Sequence, residues 1–244
     1  MVQKKTRKLT VAAMMTALAY IFLLIGKFVL PTGIISFIPA APFLNYDPKD
    51  IIIVLAGFVL GPIYSFAISV IVSFFEMITI SSTGIIGFFM NVVSTCFFAC
   101  PAAYIYKKVK SSKGAIFGLL AGVASMTIAM VLWNYIITPF YQTANLDSYD
   151  RETAKQMIAE TRKMIGGMLM TIFVPFNLIK ASVNMAFTLL LYKPVLSALK
   201  RAGLSEIMNI ESKEIQKVPV LAMVVGTFLL ISSVVAILAF KNII

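Results

Sequence analysis

The sequence predicts an all-α integral membrane protein. Sixty per cent of its 244 residues are hydrophobic, compared with about 45 to 50 per cent in a soluble domain. Its apolar runs, such as residues 9–30 and 165–192, have the length of a membrane-crossing helix. The net charge of +11 comes from cations gathered in short segments beside these runs. This placement indicates a membrane-topology signal and not a nucleic-acid surface.

The first membrane span is predicted over residues 9–30, directly after a basic N-terminal segment that contains Lys4, Lys5, Arg7 and Lys8. An apolar run of this length is too long for the core of a signal peptide, and no small-residue cleavage pattern follows it. We therefore expect a retained helix.

A proline-containing loop over residues 31–49 separates this span from a short apolar segment, residues 51–60, which ends at Gly61 and Pro62. Asp50 is the predicted N-cap of this short helix. A third helix is predicted over residues 63–80. Because the short helix is barely half a bilayer thickness, we expect a short or tilted helix pair packed inside the bundle.

The remaining spans are predicted over residues 85–106, 115–138, 165–192 and 218–240. Within the loop 139–164, apolar residues recur at helical spacing, which predicts an amphipathic helix over the mouth of the bundle. The domain organisation predicted is one membrane domain over 1–200, a cytoplasmic linker over 201–217 and an extra C-terminal transmembrane helix within 218–244.

The distribution of lysine and arginine predicts the orientation in the cell membrane. Cations dominate the N-terminus, the 107–113 connection and the 193–217 linker, whereas carboxylates nearly balance them in the loops 31–49 and 139–164. By the positive-inside rule the N-terminus is cytoplasmic and these two loops face outward. With seven spans the C-terminus would lie outside.

Polar side chains inside the predicted spans share a depth. Asn91 lies about 10 Å, and Asn177 and Lys180 about 15 Å, below the outer ends of their helices at about 1.5 Å per residue. Asn134 and Glu76 are also close to outer ends, while the inner halves are nearly all apolar. Since intramembrane polar groups usually face an interior or a pathway, the pattern predicts a binding cup open to the outside.

Packing is the alternative interpretation of these side chains. An asparagine in a membrane helix often joins neighbouring helices, and Lys180 has the option of pairing with Glu76 to neutralise both charges. Asn177, Lys180 and Asn184 project from one helix face, but Asn184 lies a full turn deeper and is assigned to packing.

Aromatic residues beside the amides favour a flat, aromatic ligand. Trp133 precedes Asn134, and Phe176 precedes Asn177. Each amide offers an acceptor and two donors, which suits the imide edge of a heterocycle, and a lysine donates to carbonyl or hydroxyl oxygens.

Enzymatic chemistry is disfavoured by the composition. The sequence has no histidine, and its two cysteines, Cys96 and Cys100, are expected to be small buried residues. Glu76, Asp47 and Asp50 are the carboxylates on which an integral-membrane enzyme would have to depend, but the last two are better interpreted as a turn and a helix cap. We expect no catalytic residue, no metal and no cofactor.

Five motifs carry a resemblance to a known family. They are Ala13-Met14-Met15-Thr16-Ala17, Phe43-Leu44-Asn45-Tyr46-Asp47-Pro48-Lys49-Asp50, Gly61-Pro62, Trp133-Asn134 and Pro175-Phe176-Asn177-Leu178-Ile179-Lys180. Over residues 8–200 the chain resembles the riboflavin-binding S component, the substrate-capture subunit, of energy-coupling factor (ECF) vitamin transporters. The seventh span and the long 139–164 loop depart from that family's six-helix pattern.

The resemblance implies a six-helix bundle that captures riboflavin outside and delivers it inward with a membrane T subunit and two cytoplasmic ATPases. It implies that Ala13 and Ala17 dock on the T subunit. The substrate-binding residues expected are Leu44, Asn45, Tyr46, Asn91, Trp133, Asn134, Asn177 and Lys180, of which Asn91 is included for its depth alone. Other vitamins (thiamine, biotin or folate) and the phosphorylated flavin FMN remain alternative ligands.

Overall fold

A computed structural model describes residues 2–30, 36, 38, 44–142, 150–207 and 220–240. Within these ranges the chain is helical and contains no strand, which confirms the all-α prediction. The helices are α1 Val2–Phe28, α2 Lys49–Leu60, α3 Pro62–Thr79, α4 Gly84–Val109, α5 Ser112–Ile136, α6 Thr138–Gln142, α7 Arg151–Met168, α8 Val174–Arg201 and α9 Val220–Phe240. A π-helical turn, Leu169–Phe173, joins α7 to α8, and a 3-10 turn covers Ser205–Ile207.

Six stretches of the described chain are long and apolar enough to cross a membrane. They are Gln3–Phe28, Pro62–Thr79, Gly84–Val109, Ser112–Phe140, Arg151–Arg201 and Val220–Ala239. The short helix α2 is not among them. Together with α2, the first five form a six-helix bundle, and α9 is the additional C-terminal helix that the sequence predicts.

The short helix α2 is the centre of the bundle. All of its 12 residues are buried, and it packs against α1, α3, α4 and α8. A helix that is hydrophobic around its whole circumference needs such surroundings. The expectation that α3 also lies inside is wrong, because α3 exposes an apolar face that includes Ile63 at 79% and Phe66 at 53%.

The start of α2 differs from the predicted capping arrangement. Pro48 occupies the N-cap position, and Asp50 lies in the first turn of the helix. The Asp50 carboxylate accepts a hydrogen bond from Thr95 Oγ1 on α4 at 2.7 Å. Asp50 therefore joins two helices, and the N-cap position belongs to Pro48.

Small residues bring α4 and α5 together. A Cβ atom added at Gly118 would lie 2.7 Å from the carbonyl oxygen of Ala102, and Gly122 is similarly close to the Phe98 carbonyl group. Glycine at four-residue spacing lets two helix backbones approach closely where lipid supplies no hydrophobic driving force for association.

The predicted amphipathic helix corresponds to α7. Asp150 caps it by accepting hydrogen bonds from the backbone N–H groups of Glu152 at 3.2 Å and Thr153 at 3.3 Å. The side-chain hydrogen bond from Thr153 holds the pKa of the exposed Asp150 carboxyl below its usual range. The helix packs on α6 and on α5 and continues through the π-helical turn into α8.

Candidate functional site

A cavity of about 690 Å³ opens at one end of the bundle. It is lined by the C-terminal ends of α1, α3 and α5, the N-terminal ends of α4 and α8, and residues 44–48 before α2. Because the spans alternate in direction, these ends all meet on the same side. Small-molecule sites in proteins commonly enclose about 300 to 1,000 Å³, so the cavity suits a ligand of vitamin size.

Most of the residues predicted from the sequence line this cavity. They are Leu44, Asn45, Tyr46, Asn91, Asn134, Asn177 and Lys180. Trp133 does not line it; its half-buried side chain packs against the main hydrophobic core. The reason is helical geometry, since consecutive residues on a helix point about 100° apart and Asn134 takes the direction that faces the cavity.

The amides of Asn134 and Asn177 are partly held by their own helices. Asn134 Nδ2 donates to the Met130 carbonyl oxygen at 2.7 Å, and Thr138 Oγ1 donates to Asn134 Oδ1 at 3.1 Å. Asn177 Nδ2 donates to the carbonyl oxygen of Phe173, in the π-helical turn, at 2.8 Å. These bonds fix the orientation of each amide, and an amide nitrogen keeps a second N–H for a ligand.

Lys180 is a buried cation with free donors. Its side chain is 7% exposed, and within the described chain no residue hydrogen-bonds or ion-pairs with its ammonium group. Asp47 and Asp50 are near enough to interact with it electrostatically. A buried ammonium is stabilised only when its donors find acceptors, which makes Lys180 a candidate contact for oxygen atoms of a molecule in the cavity.

A second lysine forms an ion-pair cluster in the wall of the cavity. Lys49 is fully buried and contacts the carboxylates of Asp47 and Glu76, the latter at 2.6 Å between Nζ and Oε2. The alternative pairing of Lys180 with Glu76 is therefore wrong. The cluster ties the segment before α2 to the end of α3.

Asn184 lies outside the cavity and connects three parts of the chain. Tyr46 donates its phenolic hydrogen to Asn184 Oδ1 at 2.9 Å. Asn184 Nδ2 donates to the Asp47 carbonyl oxygen and to Asp50 Oδ2, each at 3.4 Å. The side chain is fully buried, and its role is packing, as the sequence predicts.

Ser94 and Lys27 are among the lining residues that sequence reasoning missed. Ser94 is 3% exposed, and its hydroxyl has no hydrogen-bond partner among the described residues. Its position three residues after Asn91 is a signal that could have identified it, because such residues share a helix face. Lys27 also lines the cavity, where its ammonium donates to the Ile80 carbonyl oxygen at 2.8 Å.

The two alanines expected to dock on a partner lie on a different surface. Ala13 and Ala17 are exposed on α1, whereas Met15 and Ala19 on the opposite face are buried at 8% and 0% exposure. Along α1 both alanines precede Leu23, the first residue of this helix that lines the cavity.

A protein-family model matches most of this chain. The model of the family described as "ECF transporter, substrate-specific component" matches residues 7–192. The chain belongs to this family of substrate-specific (S) components of ECF transporters. An S component is a membrane transport protein and not an enzyme.

Two relatives match this S component over nearly their whole length. It is 28% identical over 197 residues to the riboflavin transporter FmnP of Bacillus subtilis, covering 78% of this chain and 92% of that one. It is 29% identical over 200 residues to the riboflavin transporter RibU of Staphylococcus aureus, covering 81% of this chain and 95% of that one.

A solved structure of the S component of a bacterial ECF transporter is similar in fold. The TM-score is 0.58 at 26% identity, and the similarity covers 81% of this chain and 99% of that chain. The family match ends at residue 192, so helix α9 lies beyond the part of this S component that the family model describes.

Proposed function

We propose that this S component captures riboflavin from the outside of the cell membrane and delivers it inward as part of an ECF complex. The chain has no Gly-x-x-x-x-Gly-Lys-Ser/Thr phosphate-binding motif of its own. The energy for transport would come from two cytoplasmic ATPases acting through a membrane T subunit.

The observation that carries the proposal is the convergence of Asn134, Asn177 and Lys180 on one cavity. These residues come from α5 and α8 and place amide groups beside a buried ammonium. Riboflavin has a flat ring system whose imide edge presents carbonyl oxygens on either side of an N–H group, and this edge needs both donors and acceptors. The riboflavin transporters FmnP and RibU among the relatives support the same ligand.

Each of the predicted residues that line the cavity is given a role in this proposal. Asn134 and Asn177 read the polar edge of the ring, and Lys180 donates to its oxygens. Leu44 and Tyr46 form an apolar wall against the ring, while Asn45 and Asn91 contact the hydroxylated side chain. Trp133 is not retained as a contact, because it faces the protein core.

The orientation follows from the cations and the cavity. We propose a cytoplasmic N-terminus and an outward-facing cavity. The substrate-binding domain covers residues 1–200, a cytoplasmic linker covers 201–217, and the extra helix falls within 218–244. Ala13 and Ala17 would meet the T subunit through a surface of small residues that permits close helix approach.

Titration of the purified protein with riboflavin tests the ligand. We expect quenching of riboflavin fluorescence that saturates below micromolar ligand. An absence of binding at micromolar riboflavin would contradict the proposal.

Competition identifies the preferred vitamin. Thiamine, biotin and folate should leave the bound flavin in place. Competition by FMN shows how well the site accommodates a phosphate group. If one of the unrelated vitamins displaced riboflavin at equal concentration, that vitamin would take the place of riboflavin as the proposed substrate.

A further inference from the structure

We propose that the additional helix α9 braces the wall of the ligand cavity and slows the release of the ligand. This inference rests on the proposed function, since it concerns how the same cavity holds riboflavin. It assigns a role to a helix that lies outside the matched family region of residues 7–192.

The bracing contact is a small hydrophobic cluster on the outside of the cavity wall. Its buried members are Ile38, Phe176 and Ile179, at 2%, 4% and 8% exposure. From α9, Ala236 and Ile237 pack against this cluster.

The same cluster reaches the cavity on its other side. Leu44 and Tyr46 pack against it, and both of them line the cavity together with Phe176. The cluster therefore connects the C-terminal end of α9 with residues that line the space proposed for the ligand. A displacement of Ile237 would be passed directly to the cavity wall, because closely packed interiors transmit strain.

The other end of α9 is anchored on α8. Ala222 is fully buried, and a Cβ atom added at Gly226 would lie 3.2 Å from the carbonyl oxygen of Ala186. Such a close approach of two helices is typical of stable packing in membranes. Since both ends are fixed to α8, the helix is able to hold the cluster in place and does not act as a loosely attached span.

The cavity wall needs this support because residues 44–47 form no regular structure. The Tyr46 hydroxyl has its bond to Asn184, but the apolar side chains of this segment depend on packing. Lipid tails are as apolar as the side chains of α9, although they do not offer a fixed complementary surface. Without α9 the wall would open more often, and segments of low local stability are those that open.

The test compares two conservative truncations on α9 in the full-length protein. Ile237→Ala removes the brace, and Val235→Ala is the matched control, because Val235 is 49% exposed on the opposite side of the helix. Radiolabelled riboflavin is bound, an excess of unlabelled riboflavin is added, and the loss of bound label over time gives the dissociation rate.

We expect Ile237→Ala to release riboflavin about three to ten times faster, because part of a half-buried side chain that packs on the cluster is lost. The association rate should stay within about twofold, because variants of one site differ mainly in dissociation. Val235→Ala should match the unchanged protein, and Ile237→Leu should restore slow release. The melting temperature without ligand separates bracing from general destabilisation.

Two results overturn the inference while leaving the proposed function intact. One is an Ile237→Ala variant that releases riboflavin at the unchanged rate. The other is an equal acceleration in Ile237→Ala and Val235→Ala, which would indicate unspecific loosening. If the unchanged protein binds no flavin at all, the proposed function fails, and the inference fails with it.

Discussion

Two buried lysines beside the cavity have different electrostatic surroundings. Lys49 is enclosed by the carboxylates of Asp47 and Glu76, so its charge is neutralised within the protein. Lys180 is nearly as buried and has no such bond among the described residues. Burying a charge is costly unless it is paired. The first lysine is therefore paired within the protein, and we propose that the second is left for a ligand.

Replacing Lys180 with methionine should weaken riboflavin binding without loss of folding. A hydrogen bond to a charged group contributes about 1.5 to 3 kcal/mol, which corresponds to about a ten- to hundredfold rise in the dissociation constant. Fluorescence titration measures the constant, and a melting curve without ligand checks the fold. Normal binding by Lys180→Met would remove Lys180 from the ligand site.

Replacing Lys49 with methionine should lower the stability of the fold, in contrast to Lys180→Met. Breaking a buried ion pair leaves uncompensated charges, in this case on Asp47 and Glu76, and costs about 3 to 5 kcal/mol. We expect a clear fall in the melting temperature. It is measured without ligand, because bound ligand would itself raise the melting temperature. An unchanged melting temperature would mean that the cluster adds no stability.

The sequence predicted cavity-lining residues where helical spacing alone decides their direction. Asn177 and Lys180 share a face by their three-residue separation, and both line the cavity. Trp133 does not line the cavity, because sequence neighbours on a helix point in different directions. The alternative pairing of Glu76 with Lys180 was also wrong. The choice between Lys49 and Lys180 depends on how three segments meet in the fold, and no local sequence pattern encodes this.

At the scale of elements, the apolar pattern predicted the helices but not which of them is central. Both α2 and α3 are strongly apolar, yet α2 is enclosed and α3 exposes Ile63 and Phe66. In a membrane protein, lipid and protein interior are equally apolar surroundings. Hydropathy therefore detects a buried span without indicating which of its faces meets protein.

A matched pair of glycine substitutions tests the contact between α4 and α5. Gly118→Ala places a Cβ atom 2.7 Å from the Ala102 carbonyl oxygen, whereas a Cβ atom at Gly167 on α7 meets nothing within 4 Å. We expect Gly118→Ala to destabilise the fold by about 1 to 3 kcal/mol through overpacking. Gly167→Ala should be neutral or stabilising by up to about 1 kcal/mol, because alanine is the better helix former.

Thermal unfolding of both variants in detergent gives the comparison. The unchanged protein serves as the common reference. If Gly118→Ala is as stable as Gly167→Ala, then α4 and α5 do not depend on a close backbone approach at this point.

For the whole molecule, the proposed function places ligand capture and partner docking on separate parts of the bundle. The cavity lies at one end, where α1 contributes Leu23, Gly26 and Lys27. Ala13 is about 15 Å away along the same helix, at about 1.5 Å per residue. This separation is visible in the sequence as polar residues confined to one half of the spans. The bracing role proposed for α9 is not, because its contacts depend on tertiary packing.

This separation predicts that a bulky residue at Ala17 blocks transport and leaves binding unchanged. Tryptophan at an exposed position on α1 would not disturb the core, but it would hold a partner helix away from a surface of small residues. We expect Ala17→Trp to bind riboflavin with the unchanged dissociation constant and to lose most uptake in cells that contain the complete ECF complex. Radiolabelled riboflavin uptake and fluorescence titration measure the two properties.

Val224→Trp supplies the control for added bulk at the lipid-facing surface. Val224 is 61% exposed on α9, which packs on α8 and α5 and is thus remote from the alanines of α1. This variant should bind and transport normally. Normal uptake by Ala17→Trp would place the docking surface elsewhere, and a joint loss of binding and uptake would assign Ala17 to the fold. Loss of uptake alone is the result expected if capture and docking use different parts of α1.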